Sequence, residues 1–218
     1  MRKILMAIAW FMGAVDLFAG AVNPGDVRVE VEPFMKSKWG QYTHDGSLTG
    51  KPCFNKFTPK NVNCGCLSVA FGQVMRYCRF PDDCDWAQMP YDTHFDVTDA
   101  QADAIGGLIK RINDACDAEY VGNGAYMLAT KAALEMVSTF RFMQTEYLVF
   151  NAGRFPYRAD YLERIVKTCC AYRTPVILSV LETKTGDKHE IVIDGYGYCK
   201  GQLCVHVIGG DYGRSDGW

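Results

Sequence analysis

The clearest hydrophobic pattern in the chain follows the turn Asn63-Cys64-Gly65. From Leu67 to Cys78, apolar residues recur three and four positions apart, the spacing that places side chains on one face of an α-helix. Pro81 cannot continue a helix, so we expect the helix to end before it. The pattern therefore predicts a helix that begins at Cys66 and buries one apolar stripe.

Three further segments show helical spacing. Thr98 and Gln101 have the spacing of a capping box and open the first of them. The other two run through about residues 126–140 and 159–170. Between the helices, residues 120–124 form a loop that contains two glycines.

The last part of the chain changes to strand patterns. Residues 175–181 and 189–195 are rich in β-branched residues, and residues 203–208 form a third strand that pairs with the second as a hairpin. Helices followed by an antiparallel sheet indicate an α+β fold with an N-terminal helical half and a C-terminal sheet half. A site between the halves would take residues from both.

Composition narrows the choice of partners. The chain has 218 residues, of which 49% are hydrophobic, enough to bury the core of a single domain. Its net charge of -2 gives no electrostatic reason to expect nucleic acid or a membrane surface as the main partner. We expect a monomer.

The N-terminus has the form of an export signal. Arg2 and Lys3 precede an apolar run over residues 4–15, and Ala19-Gly20-Ala21 has the small-x-small form of a signal-peptidase site. The run is shorter than the roughly 20 apolar residues that a membrane span needs, so we expect no stable membrane insertion. Residues 1–21 are predicted to be a signal peptide, and the protein to be secreted or periplasmic.

Cys66 is a candidate nucleophile because of its place at the start of a helix. The helix dipole and free backbone N–H groups there favour the thiolate. A buried small residue or half of a disulfide is the alternative for any single cysteine. The pair Cys64 and Cys66 lacks the spacing of zinc ligands, and we expect neither a metal nor a cofactor.

His189 is the candidate base. It opens a predicted strand more than a hundred residues after Cys66, where its side chain could project into a cleft. A cysteine at a helix start and a histidine on a later strand is the arrangement of a papain-type nucleophile and base. On spacing alone, many exported proteins with several cysteines would offer such a pair.

Several blocks of the chain, in order, resemble the streptopain-like cysteine peptidases, peptidase family C10. They are Trp39-Gly40-Gln41, residues 65–77 followed by Pro81, the segment 192–195 after His189, and His206-Val207 with the glycines and the Ser215-Asp216-Gly217 that follow. The resemblance covers about residues 33–218. It implies a papain-like cysteine peptidase fold of two halves for residues 22–218, and a protein or peptide substrate.

The resemblance also implies roles for individual residues. Cys66 matches the nucleophile and His189 the general base. Gln41 matches the glutamine whose side-chain amide donates to the oxyanion, together with the Cys66 backbone N–H. The loop Gly122-Asn123-Gly124 and the backbone of Lys188 would line the substrate cleft.

The chain departs from the family pattern at the position that orients the histidine. The family has an asparagine and a tryptophan where this chain has Ile208 and Gly209. Isoleucine cannot accept a hydrogen bond from an imidazole, and Asp211 is the nearby residue that could take over this role. An exposed loop carboxylate is the alternative reading of Asp211. Charged residues, Lys188 and Glu190, also flank His189 where the family prefers small or apolar ones.

Two departures concern length. Only about a dozen residues separate Ala21 from Phe34, too few to form the family's inhibitory propeptide. The family's last strands would continue past Trp218, so we expect a C-terminally truncated domain, and an inhibitor, where one exists, would be a separate protein.

Two functions follow from these patterns. The first is a secreted cysteine endopeptidase that forms a thioester on Cys66 with His189 as general base. The second is a catalytically degenerate papain-like module that binds protein or peptide without turnover, which the loss of the orienting asparagine favours.

Overall fold

The computed structural model describes residues 5–12, 22–43, 50–93, 97–151, 158–181 and 188–218. In these ranges the helices are α1 (Cys66–Cys78), α2 (Asp99–Ala115), α3 (Ala129–Ser138) and α4 (Arg158–Ala171). The strands are β1 (Leu5–Met12), β2 (Arg28–Val31), β3 (Glu119–Val121), β4 (Gly124–Tyr126), β5 (Gln144–Asn151), β6 (Val176–Leu181), β7 (Lys188–Cys199) and β8 (Gln202–Ile208). None of the helices described is both long and apolar enough to cross a bilayer.

The main sheet is organised around β7. Strands follow the order β2-β7-β6-β1-β5, and β8 also pairs with β7. β7 runs antiparallel to β2, β6 and β8, whereas β1 runs parallel to both of its neighbours. The expected α+β fold is confirmed, with a mixed sheet in place of the purely antiparallel one.

Helix α1 lies at the centre of the molecule. Every residue from Leu67 to Arg76 is buried, including the polar Ser68 and Gln73. We predicted a helix with one buried stripe, and the structure corrects this because loops and helices cover α1 on the remaining faces as well. The helix ends at Cys78, where Arg79 adopts a left-handed conformation at a φ of 49°.

The two faces of β7 pack against different helices. Val192 joins the core cluster that contains the apolar residues of α1, α2 and α3. Ile193, the next residue, joins a second cluster that contains Leu162 and Val166 of α4. This alternation follows from the two-residue period of a strand. It fixes β7 between α1 and α4.

The local patterns predict most of these elements. The capping box of α2 is present, because the Thr98 hydroxyl accepts from the Gln101 N–H and the Gln101 side chain accepts from the Thr98 N–H. The third helix is shorter than predicted, since residues 124–126 form β4 instead. β3 and β4 are joined by the two-residue turn Gly122-Asn123. Strand β5 was not predicted.

Strand β1 belongs to the segment that is predicted to be a signal peptide. Residues Leu5–Met12 pair with β5 on one side and β6 on the other. The predicted cleavage site at residues 19–21 lies outside the residues that the structure describes. A chain cleaved there would lack both ladders that β1 makes. Removal of residues 1–21 therefore stays a prediction.

Asp194 links the segment before α1 to the sheet. Its side chain is fully buried, and Oδ2 accepts the backbone N–H of Phe34 at 3.1 Å and of Met35 at 2.8 Å. Oδ1 accepts from the Nδ1–H of His206 on β8 at 2.6 Å. One carboxylate thus satisfies three donors, and removing it would leave all three without this partner.

We expect Asp194→Ala to lower the free energy of unfolding by about 3 kcal/mol, because buried donors lose a charged acceptor. The measurement is urea denaturation followed by far-UV circular dichroism. Asp103→Ala is the matched control, since the Asp103 carboxylate is exposed and its ion pair is with Lys56. That control should change stability by less than about 1 kcal/mol. Equal effects of the two substitutions would contradict the role of Asp194.

Candidate active site

Cys66 is the first residue of α1, at the boundary between the helices and the sheet. Gly65 precedes it at a φ of 95°, and a Cβ at Gly65 would lie 2.7 Å from the backbone oxygen of Ala125 on β4. Only glycine fits both the conformation and the space. This close approach sets the chain entering α1 against the hairpin β3–β4.

The environment of the Cys66 thiol disfavours ionisation. Its pKa is raised to about 11, first by burial and second by the negative charge of Glu190. Backbone N–H groups of Glu190, Leu67 and Cys66 act in the opposite sense. Our expectation that the helix start would favour the thiolate is therefore wrong for this structure, because desolvation outweighs the donors.

His189 is the second residue of β7 and is held by a backbone carbonyl. Its Nε2 lies 2.7 Å from the carbonyl oxygen of Gly209, just beyond β8. A carbonyl can only accept a hydrogen bond, so Nε2 carries the proton. In the neutral ring Nδ1 then has a free lone pair, which is the protonation state that a general base requires.

The Gly209 peptide is itself fixed in place. Its N–H donates to Asp216 at 2.9 Å. A Cβ at Gly209 would lie 2.1 Å from the Ser215 hydroxyl oxygen, so a side chain here would displace Ser215. The glycine that replaces the family's tryptophan thus brings its carbonyl to the histidine.

The structure does not bring Asp211 to His189. The Asp211 carboxylate accepts from the backbone N–H of Ser215 at 3.1 Å and from its hydroxyl at 2.6 Å. It stabilises the loop that carries Gly209. The orienting acceptor that we expected from Asp211 is supplied by the Gly209 carbonyl, while Ile208 is buried in the core.

Gln41 lies beside the entry to α1. The backbone carbonyl oxygen of Gln41 accepts a hydrogen bond from the backbone N–H of Cys64 at 2.9 Å. Cys64 lies two residues before the candidate nucleophile. The ring of Tyr212 packs directly on Gly40, where a Cβ would lie 2.1 Å from a ring carbon. The Tyr212 N–H donates to the carbonyl of Trp39 at 3.1 Å. The C-terminal loop thus holds the Gln41 segment against α1.

The predicted substrate-side residues divide into two groups. Gly122, Asn123 and Gly124 form the tip of the hairpin β3–β4, and the Asn123 carbonyl accepts from the Asn63 N–H at 3.2 Å. This bond holds the tip near the segment that enters α1. Lys188 is exposed at the start of β7, where its charge acts on Glu190.

Glu190 is a site residue to which the sequence analysis assigned no role. Burial raises its pKa to about 7, against the opposing effects of the Ser179 hydroxyl and the charge of Lys188. Ser179 donates to Oε1 at 2.5 Å, and Oε2 is buried without a hydrogen-bond partner among the described residues. The available signal was a charged residue directly after the candidate base in a largely apolar strand.

Cys66 and Gln41 lie in adjoining segments, and His189 directly precedes Glu190, the residue of β7 that interacts with Cys66. The start of β7 packs against the first turn of α1, and Gln41 lies beside the residues that lead into that turn. Within the described part of the chain, no hydrogen bond joins the Cys66 thiol to the His189 ring. Glu190 is the residue of β7 whose charge acts on the Cys66 sulfur.

We expect Glu190→Gln to speed alkylation of Cys66 by iodoacetamide a few fold at about pH 9 and to leave it unchanged at about pH 6. The reason is that the Glu190 carboxylate raises the thiol pKa only once it ionises, which it does near pH 7. Peptide mapping by mass spectrometry would follow Cys66 separately from the other cysteines.

Glu32→Gln is the control, because Glu32 is exposed and the substitution makes the same change in charge. An equal rate in the Glu190 variant and the unaltered chain at the higher pH would show that the two groups do not interact.

Comparisons with known proteins identify similar chains. The sequence model of the peptidase C10 family matches residues 82–218, a range that includes His189 and lies after Cys66. Among solved structures, a fragment of Prevotella intermedia prointerpain A with a cysteine-to-alanine substitution is 24% identical, with a TM-score of 0.70. The match covers 90% of this chain and 67% of that one.

A second structure, of the active wild-type interpain A cysteine protease from Prevotella intermedia, is also 24% identical, with a TM-score of 0.68. That match covers 91% of this chain and 89% of the other. At this level of identity the two structures show the shared fold. No curated protein sequence matches the chain.

Proposed function

The chain belongs to the peptidase C10 family, and from this membership we propose that it is an exported cysteine endopeptidase that hydrolyses peptide bonds through a thioester on Cys66. The observation that carries the proposal is the interaction of Cys66 with Glu190, the residue after His189, together with the His189 ring held by the Gly209 carbonyl. Its substrate is a protein or peptide, and the reaction needs no cofactor.

The first half of the reaction forms the thioester. A pKa of about 11 means that Cys66 rests as a thiol at neutral pH, so its proton passes to Nδ1 of His189 as the sulfur attacks the peptide carbonyl. The Cys66 backbone N–H and the Gln41 side-chain amide donate to the oxyanion that forms. Collapse of the tetrahedral intermediate breaks the C–N bond, and His189 returns the proton to the leaving amine.

The second half restores the enzyme. His189 takes a proton from water, which attacks the thioester carbon and forms a second oxyanion. Collapse breaks the C–S bond and releases the carboxylic acid, and the proton held by His189 returns to the sulfur to restore the Cys66 thiol. The hydrogen bond from Nε2 to Gly209 keeps the ring in the same orientation through both halves.

A second candidate function is a papain-like module that binds peptide without turnover. The observation that favours it is the carboxylate of Glu190 beside Cys66, which opposes formation of the thiolate. The presence of Ile208 at the position of the family's asparagine also favours this second function. The two functions differ in a single measurable property, hydrolysis by the purified protein.

We expect Cys66→Ala to reduce hydrolysis of fluorescently labelled casein by roughly a thousandfold or more under reducing conditions, because the variant cannot form the thioester. Cys204→Ala is the matched control and should keep full activity, because Cys204 pairs with Gly197, eight residues along β7 from His189. Undiminished hydrolysis by the Cys66 variant would rule out the mechanism. Retained peptide binding by an inactive but folded wild-type protein would instead favour the second candidate.

We also propose that the protein is exported and cleaved after Ala21. The polypeptide recovered outside the cytoplasm of a bacterial host should then begin at Val22, which intact-mass measurement and N-terminal sequencing would show. Replacing Arg2 and Lys3 with glutamate should retain the full-length chain inside the cell. Exported protein that still carries residues 1–21 would contradict the proposed cleavage and would be compatible with β1 as a permanent strand.

A further inference from the structure

Glu190 has a feature that the proposed mechanism does not use. Oε1 accepts from Ser179 at 2.5 Å, whereas Oε2 has no hydrogen-bond partner among the described residues although it is buried. A buried carboxylate oxygen without a donor is energetically unfavourable. A donor to this atom would come either from residues outside the described ranges or from a bound ligand.

The carboxylate lies at the reacting end of the site. Glu190 follows the candidate base directly on β7, and its charge acts on the Cys66 sulfur. Its side chain lies on the same face of β7 as Val192, which packs into the cluster that contains the residues of α1. A substrate group that reaches Oε2 would therefore lie close to the peptide bond under attack.

Positive charge near Glu190 does not fully offset the unfavourable burial of its carboxylate. Lys188 lowers the pKa of Glu190, yet burial dominates and the pKa stays raised. Ser179, across the strand pair on β6, contributes a neutral hydroxyl. A cation that supplied N–H donors to Oε2 would satisfy both the charge and the missing hydrogen bond.

We propose that Glu190 is a specificity-determining residue that selects peptide substrates with an ammonium or guanidinium group close to the scissile bond. This inference rests on the proposed function. The substrate cation pairs with Oε2 and so reduces the repulsion that the carboxylate exerts on the developing thiolate. Binding of the preferred substrate thereby favours ionisation of the Cys66 thiol. A substrate with a neutral side chain leaves the repulsion by Glu190 in place.

The test uses N-acetylated tetrapeptide coumarin amides of alanine in which each position in turn carries either lysine or norleucine, a neutral side chain of similar length. At one position, the unaltered chain should cleave the lysine peptide with a kcat/KM about tenfold higher than that of the norleucine peptide. Glu190→Gln should abolish this preference, and Glu32→Gln should keep it. Equal cleavage of the two peptides at every position overturns the proposal.

A second measurement separates this inference from the proposed function. The Cys66→Ala variant cannot turn over substrate, so binding of the same peptides to it, measured by fluorescence anisotropy, reports recognition alone. Tighter binding of the lysine peptide that is lost in the double variant with Glu190→Gln supports the inference even where the unaltered chain hydrolyses nothing. Equal binding of the lysine and norleucine peptides overturns it, and this comparison does not depend on folding of a Glu190 variant.

Discussion

The complete burial of α1 is the constraint on which the rest of the structure depends. The polar side chains of a buried helix need partners, and several of those partners come from other parts of the chain. The Ser68 hydroxyl donates to Asn113 of α2 at 2.5 Å, and Gln73 accepts the Trp39 N–H at 3.4 Å. These bonds place α2 and the Gln41 segment around the same helix, and Cys66 lies at its head.

The orientation of His189 shows how a family position can change while its physical role remains possible. An imidazole needs one acceptor to fix its ring and tautomer, and any well-placed oxygen can serve. The Gly209 carbonyl supplies that oxygen because the closed loop over residues 209–217 holds it. In return, Ile208 is free to pack in the core, where an asparagine side chain would need partners of its own.

Cys66 and Glu190 lie close together in the fold although a negative charge on either one disfavours ionisation of the other. Burial already disfavours the thiolate, and a neighbouring carboxylate disfavours it further. Mutual repulsion also disfavours ionisation of the carboxyl group when the sulfur is charged. An arrangement of this kind is unfavourable for a resting nucleophile and becomes useful only when a ligand changes the balance of charge. The proposed substrate preference depends on that change.

The sequence by itself determined the elements whose patterns are local. The spacing of apolar residues predicted α1 and α4, the Thr98 capping box predicted the start of α2, and the alternation of β-branched residues predicted β6 to β8. The blocks that resemble the family identified Cys66, His189 and Gln41 as candidate catalytic residues. The local patterns did not predict strand β5 or the pairing of β1, because parallel neighbours come from distant segments that no local period connects.

Only the tertiary structure decided the electrostatics of the site. The start of α1 predicted a low thiol pKa, yet desolvation depends on everything packed around the sulfur, including a carboxylate more than a hundred residues away. The acceptor for His189 could not be read from side chains because it is a backbone carbonyl, and every residue has one. Local patterns determine which segments become helices and strands, whereas charge, burial and hydrogen bonding at the site depend on which segments meet.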